Sequence, residues 1–271
     1  MTIMIIGIAL IGLAIGLVIG RKFQGDKLYQ IKATETHTAA GLLQEANDVA
    51  EGLGEKGSYN KLTEVKGVIR CDNPITSELA QAKCVNYSMS VTRKWEEKYW
   101  ETDSNGNRVQ KTRQGSDTVA SNERSVPFFV EDATGRIKVV PDGASMTREK
   151  IYSKFIPGEP QGPSLSIGGF TMNFGNLSLG SGKTTVGYSY EESIIPVDRD
   201  IYVLGEAVDS GGELKVQKPS EKDKKFIISV KSEEELLRSI AGSMTALLVG
   251  AIISGIGGVV VIVLNIFGVF K

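Results

Sequence analysis

The stretch Ser239–Phe270, SIAGSMTALLVGAIISGIGGVVVIVLNIFGVF, runs for 32 residues without a charge, and Lys271 follows it. A helix crosses the hydrocarbon core of a bilayer with about 20 apolar residues. A helix in a soluble protein turns a polar face to water and rarely stays uncharged over such a length. The stretch predicts a membrane-spanning helix, and the remainder of the chain is then a body held beside a bilayer. Just upstream, Ser232 to Glu235 fits a capping box: the hydroxyl accepts from a free backbone N–H, and the carboxylate accepts from the N–H of the cap itself. Residues 232–270 therefore read as a juxtamembrane helix that continues into the anchor.

The other end of the chain repeats the theme. Thr2–Gly20 is uncharged for 19 residues, and Arg21-Lys22 follows at once. A secretory signal has its charge before the apolar run and a small-residue cleavage site after it. The reversed order predicts an uncleaved anchor over 2–20. Small residues recur at Gly12, Gly16 and Gly20, and again at Ala246, Gly250, Ser254 and Gly258. A spacing of four places each set on one helix face, where small side chains let a second backbone approach closely. We expect the two helices to pack together or to form a homo-oligomer. Basic residues flank the anchors on the domain side, with Arg21, Lys22, Lys27 and Lys32 after the first and Lys231 and Arg238 before the second. By the positive-inside rule the domain faces the cytoplasm.

The net charge is −1, and the 31 basic residues form no clustered excess, which argues against a nucleic-acid partner. Cys71, Cys84 and His37 are too few soft ligands to close a tetrahedral zinc site without a carboxylate. The two thiols read as reduced and buried, with pairing in an oxidising compartment as the alternative. No cofactor or metal is expected.

Between the anchors, Tyr29–Leu53 has helical spacing in Leu42, Leu43, Ala46, Val49, Ala50 and Leu53, with Thr36 or Thr38 as cap and Gly52 and Gly54 at its end. His37 reads as a cap or solvent-facing residue. From Leu62 the pattern alternates like strands. Asn73-Pro74 breaks it, and Ile75–Leu79 reads as one turn of helix. Cys84–Trp100 reads as a long strand that turns at Ser104-Asn105-Gly106-Asn107 and returns through Val109–Thr112. Trp95, Tyr99 and Trp100 read as cross-strand packing pairs rather than an interfacial belt. Val119–Val130 with Arg136–Val140, then Gly187–Pro196, Ile201–Val208, Glu213–Val216 and Phe226–Val230, continue the series. The fold class is α+β: a mainly antiparallel barrel or sandwich over 61–230, between two transmembrane helices, with a helical linker over 26–60.

Residues 157–185 are rich in Gly and Pro yet carry Leu165, Ile167, Phe170 and Met172 at a period near two. This insertion reads as a hairpin laid over an open barrel end, with dipping into the headgroup layer as the alternative. Gly180-Ser181-Gly182-Lys183-Thr184-Thr185 looks like part of a P-loop, but Leu177 stands where the first Gly is required and a strand pattern follows. Without a helix N-terminus the amides do not converge on a phosphate. Glu191-Glu192 and Glu233-Glu234-Glu235 read as solvated surface. No catalytic constellation is visible.

The central region resembles the GIDE, or "beside a membrane", domain of Mulan-type ubiquitin ligases of organelle envelopes and of bacterial relatives. The likeness rests on Val65–Ile69, on Ser77–Leu79 through Cys84–Tyr87, on Val126–Ile137 with Gly143-Ala144, and on Tyr190–Glu192 through Tyr202–Ala207 to Phe226–Ser229. Both anchors and the Lys231–Arg238 helix fit as well. The resemblance implies a domain that holds or senses a partner at the membrane face, and it carries the family label of RING-type E3 ubiquitin transferase. A RING takes eight Cys or His ligands for two zinc ions, which this sequence cannot supply, so ligase chemistry is not expected of it. In the organelle ligases the domain lies between two membranes, a location that corresponds to the periplasm and opposes the charge rule. The expected role is a two-pass scaffold for an unknown protein partner, with a lipid-sensing module or a family-labelled E3 ubiquitin transferase of envelope organisation as alternatives.

Overall fold

The computed structural model describes residues 2–103, 106–159, 162, 164–173, 182–210 and 212–267. Helix α1 spans Thr2–Ala33 without a break, so the helix that carries the apolar run 2–20 continues through Arg21-Lys22. Helix α2 covers Ala39–Leu53. Its cap is Thr38, whose hydroxyl accepts from the Gly41 N–H at 3.1 Å. Gly54 ends it with a left-handed φ of 74°, while Gly52 lies inside it. Residues Tyr29–Ala33, read from sequence as the start of this helix, belong to α1.

Two sheets follow. The first is built from β1 (Asn60–Arg70), β5 (Phe128–Asp132), β6 (Gly135–Val139), β13 (Glu213–Gln217) and β12 (Asp200–Ser210), which also pairs back with β1. That last pairing closes a five-stranded ring. One ladder, β6 with β13, is parallel. Short strands β14 (Ile227–Ser229) and β7 (Ser145–Thr147) extend the ring from β12. Inward residues from every stave, among them Val65, Val130, Val139, Val203 and Val216, fill the interior. Burying each such side chain contributes about 1.5–3 kcal/mol. Helix α2 plugs one end through Leu42 and Ala46. Gly67 is required where β1 meets β5, because a Cβ there would collide with the Glu131 carbonyl.

The second sheet runs β4 (Arg108–Ser125), β3 (Lys83–Thr102), β11 (Lys183–Pro196), β8 (Glu149–Pro157), with β2 (Ile75–Thr76) on the start of β3. Val119, read as the start of a separate strand, sits inside the much longer β4. The turn joining β3 to β4 includes 104 and 105, which lie outside the described residues, but the ladder continues to Thr102↔Arg108. Tyr87, Met89, Val91, Tyr188 and Tyr190 bury one face of this sheet. Trp95 lies flat against Gly115 across the strands, where any Cβ would meet its ring. Trp100, by contrast, is 62% exposed.

The Gly/Pro-rich insertion forms a hairpin of β9 (Ser164–Ile167) and β10 (Phe170–Asn173). It lies on its own domain: Met172 is buried, and Leu165, Ile167 and Phe170 pack against the same core. Gly168, at φ 58°, sits against the carbonyls of Glu78 and Leu79 so closely that only glycine fits. Residues 174–181, which include Leu177, Gly180 and Ser181 of the P-loop-like stretch, lie outside the described residues. Lys183 beyond them is in β11, its ammonium 3.8 Å from the Trp95 ring centroid. Finally, α3 spans Glu233–Ile266 and starts with the capping box, Ser232 and Glu235 bonding each other's N–H at 3.2 Å.

Candidate functional site: the joint between barrel and helical neck

Helices α1 and α3 run antiparallel, and they meet most closely where neither has a side chain. A Cβ on Gly258 would lie 2.8 Å from the Gly7 carbonyl, and one on Gly7 would lie 2.6 Å from Ile262. Ser254 and Ala251 are buried in the same seam. The Ser254 hydroxyl donates to the Gly250 carbonyl at 2.6 Å, which hides its polarity. Gly250 faces Leu17 and Gly20 faces Leu247, whereas Ala246 is exposed. A Cβ on Gly12 or Gly16 would meet nothing within 4 Å, so these two lie off the α1–α3 seam. Gly7 carries the seam on α1, at a position that the spacing of four passed over.

Both helices are long and apolar enough to cross a membrane. They are also longer than they need to be. Gly20 is level with Leu247, and the first charges, Arg21 and Lys22, come immediately above. From that level α1 rises 13 further residues to Ala33, and α3 begins 14 residues before Leu247, so each adds about 20 Å at 1.5 Å per residue. The result is a two-helix neck. Leu28, Ile31, Leu236, Ile240 and Met244 pack along it and join Leu62, Tyr202, Leu204 and Ile227 on the outside of the barrel.

At the top of the neck sits a buried carboxylate. Glu64 of β1 is 1% exposed. Its Oε1 accepts from Thr36 Oγ1 at 2.5 Å, and its Oε2 accepts from the Tyr202 hydroxyl of β12 at 2.8 Å. The Lys66 ammonium lies 2.8 Å from Glu64 and 2.8 Å from Glu233, the first residue of α3. One cluster thus ties together the segment leaving α1, two barrel staves and the start of α3. The backbone reinforces it: the His37 N–H donates to the Glu64 carbonyl at 2.8 Å, and the Glu64 N–H donates to Glu35 at 3.1 Å. Burial, and then the bond to Glu64, hold the Tyr202 phenol far above its usual pKa. Burial alone would depress Lys66, but its bonds to Glu233 and Glu64 outweigh this and raise it. Both groups keep their protons through the physiological range. Gln30 of α1 adds a second tie, donating to the Asp223 carbonyl and accepting from the Lys225 N–H, both at 2.7 Å.

Beside the cluster opens a cleft of about 740 Å³ between Lys66 and Tyr202 of the barrel, with Arg199 just before β12, and Lys231–Glu235, which lead into α3. His37 is not solvent-facing, its side chain being only 11% exposed. The Lys61 ammonium sits 2.8 Å from Nε2, and an ammonium can only donate, so Nε2 accepts and Nδ1 carries the proton. Glu45 and Tyr59 complete this second group, which ties α2 to β1.

A further buried carboxylate corrects the reading of Glu191-Glu192 as solvated surface. Glu191 is half-buried and paired with Lys150, but Glu192 is 1% exposed. It accepts from the N–H groups of Glu78, Leu79 and Ala80 at 2.8, 2.9 and 2.8 Å. Ser77–Ala80 is therefore not a helical turn: its amides converge on a carboxylate from β11, and the insertion hairpin rests on its carbonyls. Nothing local in the sequence signals either Glu64 or Glu192, whose partners stand up to 138 residues away. Among the described residues no three His, Cys, Asp or Glu side chains are grouped to hold a metal ion. Cys71 and Cys84 are free thiols, the first half-buried and the second fully buried.

The GIDE family model, described as E3 Ubiquitin ligase, matches residues 96–263, which is more than half of the chain. No curated protein and no solved structure matches.

Proposed function

The chain belongs to the GIDE family, and from that premise we propose that it is a two-pass membrane protein whose barrel and second sheet hold a protein partner at a fixed height beside the bilayer. The observation that carries this reading is the Glu64 cluster on top of the neck. A domain on a loose tether would sample all orientations. Here both helices are joined to the same two barrel staves through a charge-assisted network centred on the buried Glu64, and such bonds are the stronger kind. The neck adds about 20 Å beyond the level of Gly20 at the rise of an α-helix, which exceeds the headgroup layer, about 6 Å deep on each side. A partner would meet the domain in the aqueous phase.

Met172 and its neighbours pack on the core of the second sheet and not on the barrel end expected for 157–185, and this packing speaks against headgroup insertion. The two Cys and one His of these 271 residues cannot form the two zinc sites of a RING, so within them the family's E3 association is one of binding. Crosslinking in native membranes, read by mass spectrometry and combined with protease protection, tests the proposal and assigns the side of the membrane. The expected result is a small, reproducible set of protein neighbours crosslinked to 60–230. Flotation of the full chain's soluble domain segment with liposomes after release by protease, or ubiquitin discharge by the purified chain, would replace the scaffold with a lipid sensor or an enzyme.

A further inference from the structure

Strand β4 is the edge of the second sheet. It runs for 18 residues, and among the described residues it pairs with β3 alone. Strands of about 3–10 residues are usual, and open edges are normally shortened, covered or broken by proline, because their free N–H and C=O groups template another strand. β4 has no proline, and from 108 to 118 every residue except the half-buried Gly115 is exposed. Its register with β3 is unbroken from Arg108 to Thr118; the one irregularity comes after, opposite Val91 and Thr92.

Two backbone bonds fix which residues face outward. The Asp103 N–H donates to the Asn107 carbonyl, and the Val126 N–H donates to the Val85 carbonyl, both at 2.9 Å. Bonded and non-bonded pairs alternate along an antiparallel ladder. From either end of the ladder, the odd residues of β3 are then the ones bonded to β4. Val109, Lys111, Arg113, Gly115 and Asp117 therefore turn their backbone to β3, while Gln110, Thr112, Gln114, Ser116 and Thr118 turn theirs to solvent. This outward row carries no charge. What it recognises is the backbone of another strand.

The charges between those positions select which strand. Lys111 and Arg113 lie in one half of the run and Asp117 in the other. A second β4 laid antiparallel about Gln114 sets Lys111 against Asp117 twice by symmetry. It also sets Gln110 against Thr118 and Thr112 against Ser116, so that each outward residue meets another. Opposite charges and hydroxyl pairs across strands are favourable, and like charges are not. Registers about Thr112, Arg113 or Asp117 oppose like charges, and registers about Gly115 or Ser116 pair fewer outward residues. Within the chain Lys111 touches Glu101 at 2.8 Å and Asp117 lies 3.7 Å from Lys183. Such surface pairs contribute little, and Lys111 and Asp117 stay 53% and 48% exposed.

We propose that β4 pairs with β4 of a second copy of this chain, antiparallel about Gln114, making one continuous sheet across a two-fold axis. This goes beyond the partner reading above and does not depend on it. The test uses the full chain in detergent micelles with Cys71→Ser, so that the buried Cys84 is the one native thiol left. In this background Gln114→Cys should join two copies by a disulfide under mild oxidation, whereas Glu123→Cys, also exposed but far from the axis, should not. Lys111→Asp opposes carboxylates twice and should lower the crosslinked fraction about fivefold; Asp117→Lys should do the same, and the two together should restore it. Ser116→Pro removes an outward N–H that β3 does not use, and should abolish the crosslink with circular dichroism unchanged. No disulfide at 114, equal yields at 114 and 123, or a charge-swapped double variant no better than its singles would overturn the proposal. So would a crosslink in native membranes from Gln114→Cys to a different protein in place of a second copy. If Ser116→Pro does not fold, the charge swap decides.

Discussion

Replacing Glu64 probes the cluster that joins the barrel to its neck. In Glu64→Ala the Tyr202 hydroxyl, on a residue 2% exposed, loses its acceptor, and Lys66 keeps only Glu233. The loss leaves the buried Tyr202 donor unsatisfied, which costs about 1–3 kcal/mol, while Lys66, 43% exposed, is left to Glu233 and water. Glu64→Gln keeps the shape and one acceptor, and converts charge-assisted bonds into neutral ones, so its cost should be about 1–3 kcal/mol. Tyr202→Phe alone removes a bond to a charged group and should cost about 1.5–3 kcal/mol. The sharper expectation is a change of sign. In the Glu64→Ala background the Tyr202 hydroxyl is an orphan, so adding Tyr202→Phe should be neutral or stabilising. Denaturant unfolding of the full chain in micelles, followed by circular dichroism, gives the four stabilities of the cycle. Hydrogen exchange over 60–70 and 200–208 shows where the loss falls. Should Glu64→Ala lie within about 0.5 kcal/mol of the parent, or Tyr202→Phe cost the same in both backgrounds, the cluster does not hold the joint.

Three further outcomes are expected. Asp132 accepts from the N–H groups of Ala39, Thr134 and Gly135, and although burial opposes this, its bonds to Thr134 and those amides hold its carboxyl below the usual value. A depressed folded pKa gives stability that is present above the unfolded value, about 3.9, and lost as pH falls through the folded value. Asp132→Asn should therefore lower stability at neutral pH and flatten the acid limb of a pH–melting curve; an unchanged limb would contradict the capping role. Burial pushes the Cys84 thiol up to about 11, so thiol titration of the native chain should find Cys71 alone, with Cys84 reacting only on unfolding. Gly168→Ala should lift the β9–β10 hairpin from Glu78 and Leu79, seen as faster exchange over 164–173 and increased proteolysis there with the barrel intact.

Much of the chain was legible because its rules are local. Uncharged length marks both helices that are long and apolar enough to cross a membrane. Ser232 and Glu235 declare a helix start within four residues, and the alternation from Cys84 to Trp100 declares a strand with one buried face. Ile75–Leu79 misled because its amides answer to Glu192, more than a hundred residues away, and not to a helix of their own. His37 misled for the same reason, since Lys61 and Thr63 enclose it only after β1 folds back.

The sequence by itself determined the two long apolar helices, the capping box of α3, the strand-rich body between them and the family, because each depends on hydropathy, spacing or a turn residue read within a short window. Only the tertiary structure decided that β12 closes on β1, that the helices rise past the charges as a neck, and that Glu64 and Glu192 are buried. Those outcomes rest on pairings between distant segments, and a carboxylate reveals that it will leave water only when the donors that receive it are in place.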